Sequence, residues 1–121
     1  MHTYSVGNYI REEFFHELVQ GENGAILVYC HTEMNKNIAS KFSGRWHLYA
    51  FNIETNSWHP FVKARLENKR IVKRDFSTSD GLVNSLLRYN YPVVGIPSER
   101  ESGCEIHKNG SIFYRPKCIF I

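Results

Sequence analysis

The sequence predicts a single α+β domain with a mostly antiparallel sheet of five to six strands and two principal helices. Two segments, residues 9–20 and 80–89, repeat their apolar side chains at helical spacing. The dipeptide Asn109-Gly110 separates two strand-like arms and is typical of a β-hairpin turn. Adjacent strands between isolated helices favour an antiparallel sheet over a doubly wound one.

The first predicted helix covers residues 9–20, and its apolar face consists of Ile10, Phe14, Phe15, Leu18 and Val19. Ser5 or Asn8 is the expected N-cap, and Gly21 is the expected left-handed residue after the helix. The continuous apolar run from Ala25 to His31 then predicts a buried strand.

Residues 46–53 and 58–66 are predicted to form a hairpin. A two-residue turn at Thr55-Asn56 would place Ile53 opposite Trp58 and divide the side chains between two faces. The face expected to lie against the core carries His47, Tyr49, Phe51, Ile53, Trp58, Pro60, Val62 and Ala64. The opposite face, on which we expect aromatic and basic groups to be exposed, carries Trp46, Leu48, Ala50, Asn52, His59, Phe61, Lys63 and Arg65.

The remaining segments complete the predicted sheet. Residues 35–43 fit a short helix or a loop equally well. Strands are expected at 69–76 and 92–96, and the Asn109-Gly110 hairpin at 104–115. The second helix is expected between the strands 69–76 and 92–96. Ser77 and Asp80 resemble a capping box at its start, and Asn90 is expected at its end. The apolar residues 118–121 are expected to be paired or buried.

Composition limits the class of protein. The 121 residues fit one domain, and eight Phe, seven Tyr and two Trp exclude a disordered chain. The first residues lack the pattern of a signal peptide, and three cysteines are an odd number at wide spacing, so we expect an intracellular, cytoplasmic protein with reduced thiols. The longest apolar run, Ala25–Cys30, is far shorter than the ~20 residues of a membrane-spanning helix, so no membrane partner is expected. The oligomeric state is left open.

Positive charge is concentrated in one segment. Residues 63–74 contain six basic side chains and one acidic side chain, whereas the whole chain has a net charge of +3. Aromatic rings beside cations are typical of surfaces that bind single-stranded RNA or DNA, because bases stack on the rings and phosphates contact the cations. We therefore expect a non-catalytic nucleic-acid-binding protein. The candidate binding residues are Trp46, His59, Phe61, Lys63, Arg65, Lys69, Arg70, Lys73 and Arg74.

Two other functions fit the same surface. A protein-binding regulator or inhibitor could use Trp46, Leu48 and Phe61 as an anchor, with the cations as a rim for an acidic partner surface. A metal-independent ribonuclease could use His59 with Lys63, Arg65 and Tyr114. The pairing of residues 63–75 also stays open, because Lys63 could lie opposite Asp75 or opposite Arg74.

Motifs for cofactors and metals are absent from the sequence. It contains no phosphate-binding glycine loop, no nucleophile elbow, no His-Glu-x-x-His and no Cys-x-x-Cys. The pairs Cys30/His31 and Cys104/His107 are separated by odd numbers of residues in predicted strands, so their side chains should lie on opposite faces. We therefore expect no metal, no cofactor and no disulfide, and assign no catalytic residue.

Overall fold

The computed structural model describes residues 2–36, 42–61, 76–93 and 95–121. These residues form two helices and eight strands, which confirms the predicted α+β class. In chain order the elements are β1 (His2–Tyr4), α1 (Glu12–Gln20), β2 (Ala25–Lys36), β3 (Phe42–Asn52), β4 (Ser57–Pro60), β5 (Phe76–Thr78), α2 (Ser79–Arg88), β6 (Gly103–His107), β7 (Ile112–Arg115) and β8 (Cys118–Phe120).

The main sheet is antiparallel and has the strand order β4-β3-β2-β6-β7, with β5 also paired to β3. Residues preceding α1 run along the outer side of β4: Trp58 donates its backbone N–H to Ser5, and Gly7 donates to Trp58. Strand β7 forms the opposite edge of the sheet. A second, two-stranded sheet joins β1 to β8 in parallel, so the predicted pairing of residues 118–121 is confirmed for β8.

One face of the main sheet is covered by both helices. Phe15 and Val19 from α1 and Leu82 and Leu86 from α2 are buried in this core. The sheet contributes Ile26, Val28, Cys30, Trp46, Leu48, Ala50, Cys104 and Ile106 to the same cluster. Trp46 is completely buried, and its indole N–H donates to the carbonyl of Pro97 at 2.8 Å. This face contains the principal hydrophobic core.

The other face is covered by β1 and β8. A second buried cluster there contains Tyr4, Ala25, Leu27, Tyr29, Tyr49, Trp58 and Cys118. The ring of Phe120 stacks on Tyr49 with 4.8 Å between centroids. Both faces of the central strands are therefore buried, which explains why apolar residues occupy consecutive positions along β2 and not only alternate ones.

The hairpin of β3 and β4 corrects one prediction. The described side chains of its strands divide between the two faces as expected, but the face with Trp46, His59 and Phe61 is buried and not exposed. Ile53, expected in the core, lies in the turn and is 58% exposed. The helices cover that face, and the sequence pattern did not show where they would pack. The turn also has four residues, 53–56, with Asn56 at a positive φ of 50°, so Phe51 and not Ile53 lies opposite Trp58.

The helix ends differ from the expected caps. Arg11 occupies the N-cap position of α1 without a side-chain cap, so neither Ser5 nor Asn8 has that role, and Gly21 is extended at φ −67° and ψ 168°. At α2 the cap is Thr78, which accepts from the backbone N–H of Gly81, and not Ser77. Asn90, at φ 60°, follows α2 as predicted.

The hairpin of β6 and β7 is confirmed, but its turn is not the type I′ turn that an Asn-Gly pair favours in two-residue loops. Gly110 has a φ of 98°, whereas Asn109 is not among the residues with positive φ. Gly110 donates to the carbonyl of His107, and His107 donates to that of Ser111. These bonds fit a type I turn followed by a glycine in the left-handed region.

Other predicted segments have mixed outcomes. Residues 92, 93, 95 and 96 lie outside any strand, so that predicted strand is wrong there. Both ends of 35–43 are strand, while 37–41 and 62–75 lie outside the described residues, including the open pairing around Lys63. The helices have nine and ten residues, and no helix in the described part of the chain is long and apolar enough to cross a membrane.

The burial of Trp46 can be tested by substitution. We expect Trp46→Ala to lower the free energy of unfolding by about 3–5 kcal/mol, because it leaves a large cavity and an unpaired Pro97 carbonyl. Tyr114→Ala, at a residue 53% exposed on β7, should change it by less than about 0.5 kcal/mol. Urea unfolding of both variants would measure the difference, and equal losses would contradict the assignment of Trp46 to the core.

The three cysteines are free and buried. Burial raises the pKa of the Cys30 and Cys118 thiols to about 11, and it also raises that of Cys104. At pH 8 we expect the folded protein to react with an aromatic disulfide reagent at least about tenfold more slowly than the unfolded chain, because the thiolate is scarce and shielded. If the folded protein rapidly released one equivalent of aromatic thiolate from the reagent, one cysteine thiol would be accessible.

Candidate functional site

The residues predicted to bind nucleic acid fall into two groups. Trp46 and Phe61 are buried, and the ring of Phe61 packs against Phe15 at 4.7 Å and Phe76 at 6.4 Å between centroids. Neither ring offers an open face to a base, so the expected stacking at these positions is wrong. The predicted cations lie outside the described residues: Lys63, Arg65, Lys69, Arg70, Lys73 and Arg74.

His59 is a structural residue. Its Nδ1 lies 2.7 Å from the carbonyl oxygen of Asn8, and its Nε2 lies 3.2 Å from Nδ2 of Asn52. Donation from Nδ1–H to Asn8 leaves Nε2 to accept from the Asn52 amide, so both ring nitrogens are engaged. A Cβ on Gly7 would come within 2.6 Å of the His59 ring, which shows how closely the chain before α1 packs on it. His59 therefore has no free ring nitrogen to act as the general base in the ribonuclease hypothesis.

The structure brings together a different set of polar groups around Glu105 in β6. Tyr4 Oη donates to Glu105 Oε2 at 2.8 Å, and His107 Nε2 lies 2.6 Å from Oε1. Arg115 Nη2 lies 3.6 Å from Oε2. Glu105 and His107 are two residues apart on one strand, so their side chains share the face covered by β1. Since Glu105 pairs with Phe113 in register, Arg115 lies on this face as well.

Burial determines which groups of this cluster need hydrogen-bond partners. The Glu105 side chain is only 10% exposed, and a buried carboxylate needs compensating donors. Burial, followed by the contact with Glu105, raises the pKa of Tyr4, so its hydroxyl stays protonated and donates. The guanidinium of Arg115 supplies positive charge. Glu105 therefore accepts hydrogen bonds from Tyr4 of β1 and His107 of β6, and it forms an ion pair with Arg115 of β7.

A cavity opens beside this cluster. It has a volume of about 300 Å³, and its lining includes His2, Tyr4, Trp58, Glu105 and His107. His107 also lines a neighbouring cavity of about 240 Å³ near the end of α1. The His107 side chain is 27% exposed, so it contacts both the buried Glu105 carboxylate and the cavities.

The outer strand β7 carries two exposed aromatic side chains, Phe113 on the face of Glu105 and Tyr114 on the opposite face. Phe113 is 43% exposed and Tyr114 is 53% exposed. The guanidinium of Arg115 lies 5.0 Å from the Phe113 ring centre, and the His107 ring meets Phe113 edge-on at 5.6 Å. We call His107, Phe113, Tyr114 and Arg115 the hairpin surface. Residues 107–117 contain three cations and no acidic residue.

Comparisons with known proteins add no family to these observations. No family model, no curated protein and no solved structure matches this chain. In the described ranges no group of three or more His, Cys, Asp or Glu side chains is arranged to hold a metal ion. A function must therefore be inferred from the chain's own residues and geometry.

The Tyr4–Glu105 hydrogen bond can be tested by removing one oxygen atom. We expect Tyr4→Phe to lower the free energy of unfolding by about 1–3 kcal/mol, because it removes a donor from a buried carboxylate. Tyr9→Phe makes the same chemical change at a residue 51% exposed and should have little effect. Chemical unfolding of the two variants at neutral pH would measure this, and equal stability would contradict a structural role for the Tyr4 hydroxyl.

Proposed function

We propose that the protein binds single-stranded nucleic acid, with the hairpin surface as the stacking site. The observation that carries the proposal is the exposure of Phe113 and Tyr114 beside Arg115 on an edge strand. Unstacked bases bind to exposed aromatic rings, and adjacent cations neutralise their phosphates. The sequence predicted the same kinds of group, aromatic rings beside cations, but at different residues of the chain.

The arrangement suits a strand of nucleotides more than a duplex. Phe113 and Tyr114 are neighbours in β7, so they project from opposite faces of the sheet edge. A base on Phe113 would lie next to the imidazole of His107 and the guanidinium of Arg115, which also have flat faces for stacking. Only bases free of a duplex can reach rings placed in this way.

The basic segment 63–74 supports the same proposal through charge. Its net charge of +5 exceeds that of the whole chain, and contacts between such cations and phosphates release counterions. The residues on either side of residues 62–75, Phe61 and Phe76, are buried and stacked on each other in the core. Both ends of the segment are thus fixed to the folded domain.

A protein-binding regulator or inhibitor is the second candidate function. Ile112, Phe113 and Tyr114 are consecutive and each is more than 40% exposed, on a strand at the edge of the main sheet. Edge strands of this kind accept an added strand from a partner. The neighbouring cations Lys108, Arg115 and Lys117 would favour a partner with an acidic surface.

Binding of fluorescent single-stranded RNA and DNA at several salt concentrations tests the first proposal. We expect Phe113→Ala and Tyr114→Ala to weaken binding by about 1–3 kcal/mol each, because each removes a stacking ring, and to leave the salt dependence unchanged. Lys73→Ala should instead reduce the log–log salt slope by about 0.7, since it removes one phosphate contact. Phe14→Ala, an exposed aromatic residue on α1, is the matched control.

Two results would contradict the proposal. Absence of binding to any oligonucleotide at low salt would remove the nucleic-acid function and favour the acidic protein partner. Unchanged affinity in both Phe113→Ala and Tyr114→Ala would show that the hairpin surface is not the stacking site. Loss of affinity in Phe14→Ala of the same size would point to a non-specific effect.

A further inference from the structure

We propose that the cavity beside β1 cleaves bound RNA, with His107 as general base and His2 as general acid; this inference rests on the proposed binding of single-stranded nucleic acid. Both histidines line the same cavity of about 300 Å³. Cleavage of an RNA phosphodiester needs one group to accept a proton and a second group to donate one. Two histidines facing one cavity are suited to this pair of transfers.

His107 is oriented by the buried carboxylate. With Nε2–H donated to Glu105 Oε1 at 2.6 Å, the neutral ring carries its lone pair on Nδ1. No hydrogen bond joins Nδ1 to any group in the described part of the chain. Glu105 also stabilises the positive charge that His107 acquires when it takes a proton, as the carboxylate does in other carboxylate–histidine pairs. Glu105 is therefore a positioning residue, and His107 is the residue that would contact substrate.

His2 lies on β1, and its ring contacts the ring of Tyr4. The two ring centroids are 4.7 Å apart, while the Tyr4 hydroxyl bonds to Glu105, the carboxylate that also holds His107. Since both histidines line one cavity, a phosphodiester bound there would meet two separate imidazoles, as simultaneous proton removal and proton donation require.

Arg115 supplies positive charge next to the cavity. Its Nη2 lies 3.6 Å from Oε2 of Glu105, a residue that lines the cavity, although Arg115 itself is not a lining residue. Its Nε is buried and has no hydrogen-bond partner among the described residues. The nearby guanidinium charge would favour a phosphate bound in the cavity.

The hairpin surface would place a bound base next to His107. Phe113 lies 5.6 Å from His107 between ring centres, so a base stacked on Phe113 would bring its own ribose to the mouth of the cavity. Stacking therefore selects single strands, and the cavity receives the adjacent sugar and phosphate. The preferred substrate class is single-stranded RNA.

The reaction is an internal transesterification. His107 takes the proton of the 2′-hydroxyl, and the 2′-oxygen forms a bond to phosphorus as the bond from phosphorus to the 5′-oxygen breaks. Protonated His2 gives its proton to the departing 5′-oxygen. The products are a 2′,3′-cyclic phosphate and a 5′-hydroxyl, and proton exchange with water restores both histidines. DNA lacks the 2′-hydroxyl, so it is bound and not cleaved.

The test uses the whole chain, end-labelled single-stranded RNA and excess EDTA. The wild-type protein should cleave the RNA to fragments ending in 2′,3′-cyclic phosphate. His107→Gln and His2→Gln should each lower the cleavage rate by about 10²- to 10⁴-fold, because each removes one proton-transfer group. His2→Gln should bind fully 2′-O-methylated RNA, which has no nucleophile, as tightly as the wild type does. His16→Gln, at an exposed histidine on α1, should leave cleavage and binding unchanged.

The outcomes separate the two proposals. If the wild type binds neither RNA nor its 2′-O-methyl form, the proposed function fails and cleavage falls with it. If it binds both and leaves RNA intact, binding stands and the cleavage proposal is overturned. Cleavage that stops with EDTA, or that persists at full rate in His107→Gln, also overturns it. Melting temperatures of all variants would identify any rate loss caused by unfolding, and His2→Gln provides a second variant if His107→Gln is unstable.

Discussion

The central strands β2 and β3 bury apolar side chains on both faces, and the remaining architecture follows from the need to cover each face. The helices cover Trp46 and Leu48 on one face, whereas β1 and β8 cover Tyr49 and Leu27 on the other. Neither cover is large, since the helices have nine and ten residues and the second sheet has two strands. The cavity lies where the small sheet ends and no longer covers the main sheet completely. The incomplete cover of this face thus leaves the cavity in which Tyr4, Glu105 and His107 meet.

Glu105 occupies an unusual position in this architecture. It is the only acidic residue in the described part of the chain that is buried. An apolar side chain there would avoid the desolvation cost of a carboxylate and could pack equally well against Tyr4. The hydrogen bonds from Tyr4 and His107 and the ion pair with Arg115 reduce this cost, and the bond to Glu105 Oε1 orients the His107 ring. Phe113 of β7 lies next to His107, so the proposed binding surface and the proposed general base share one edge of the sheet.

Local patterns in the sequence predicted most elements but not the covered faces. Helical spacing located both helices, and alternation divided the side chains around Trp46 and Trp58 between the correct faces. Both faces are rich in aromatic residues, so nothing local indicated that helices would cover Trp46, and the neighbouring cations favoured exposure. The spacing of Glu105 and His107 places them on one face of a strand. Their partner Tyr4 is 101 residues away in sequence, and no local pattern could connect it to them.

The parallel pairing of β1 with β8 has a consequence for the order of folding. Thr3 pairs with Ile119, and such distant contacts form late because a long loop must close first. During synthesis, β2 and β3 can pair as a hairpin while β8 is still absent. The nascent chain would therefore expose the aromatic face of Tyr49 and lack the complete cavity until β8 has left the ribosome. Any activity of this cavity would begin only when synthesis of β8 is complete.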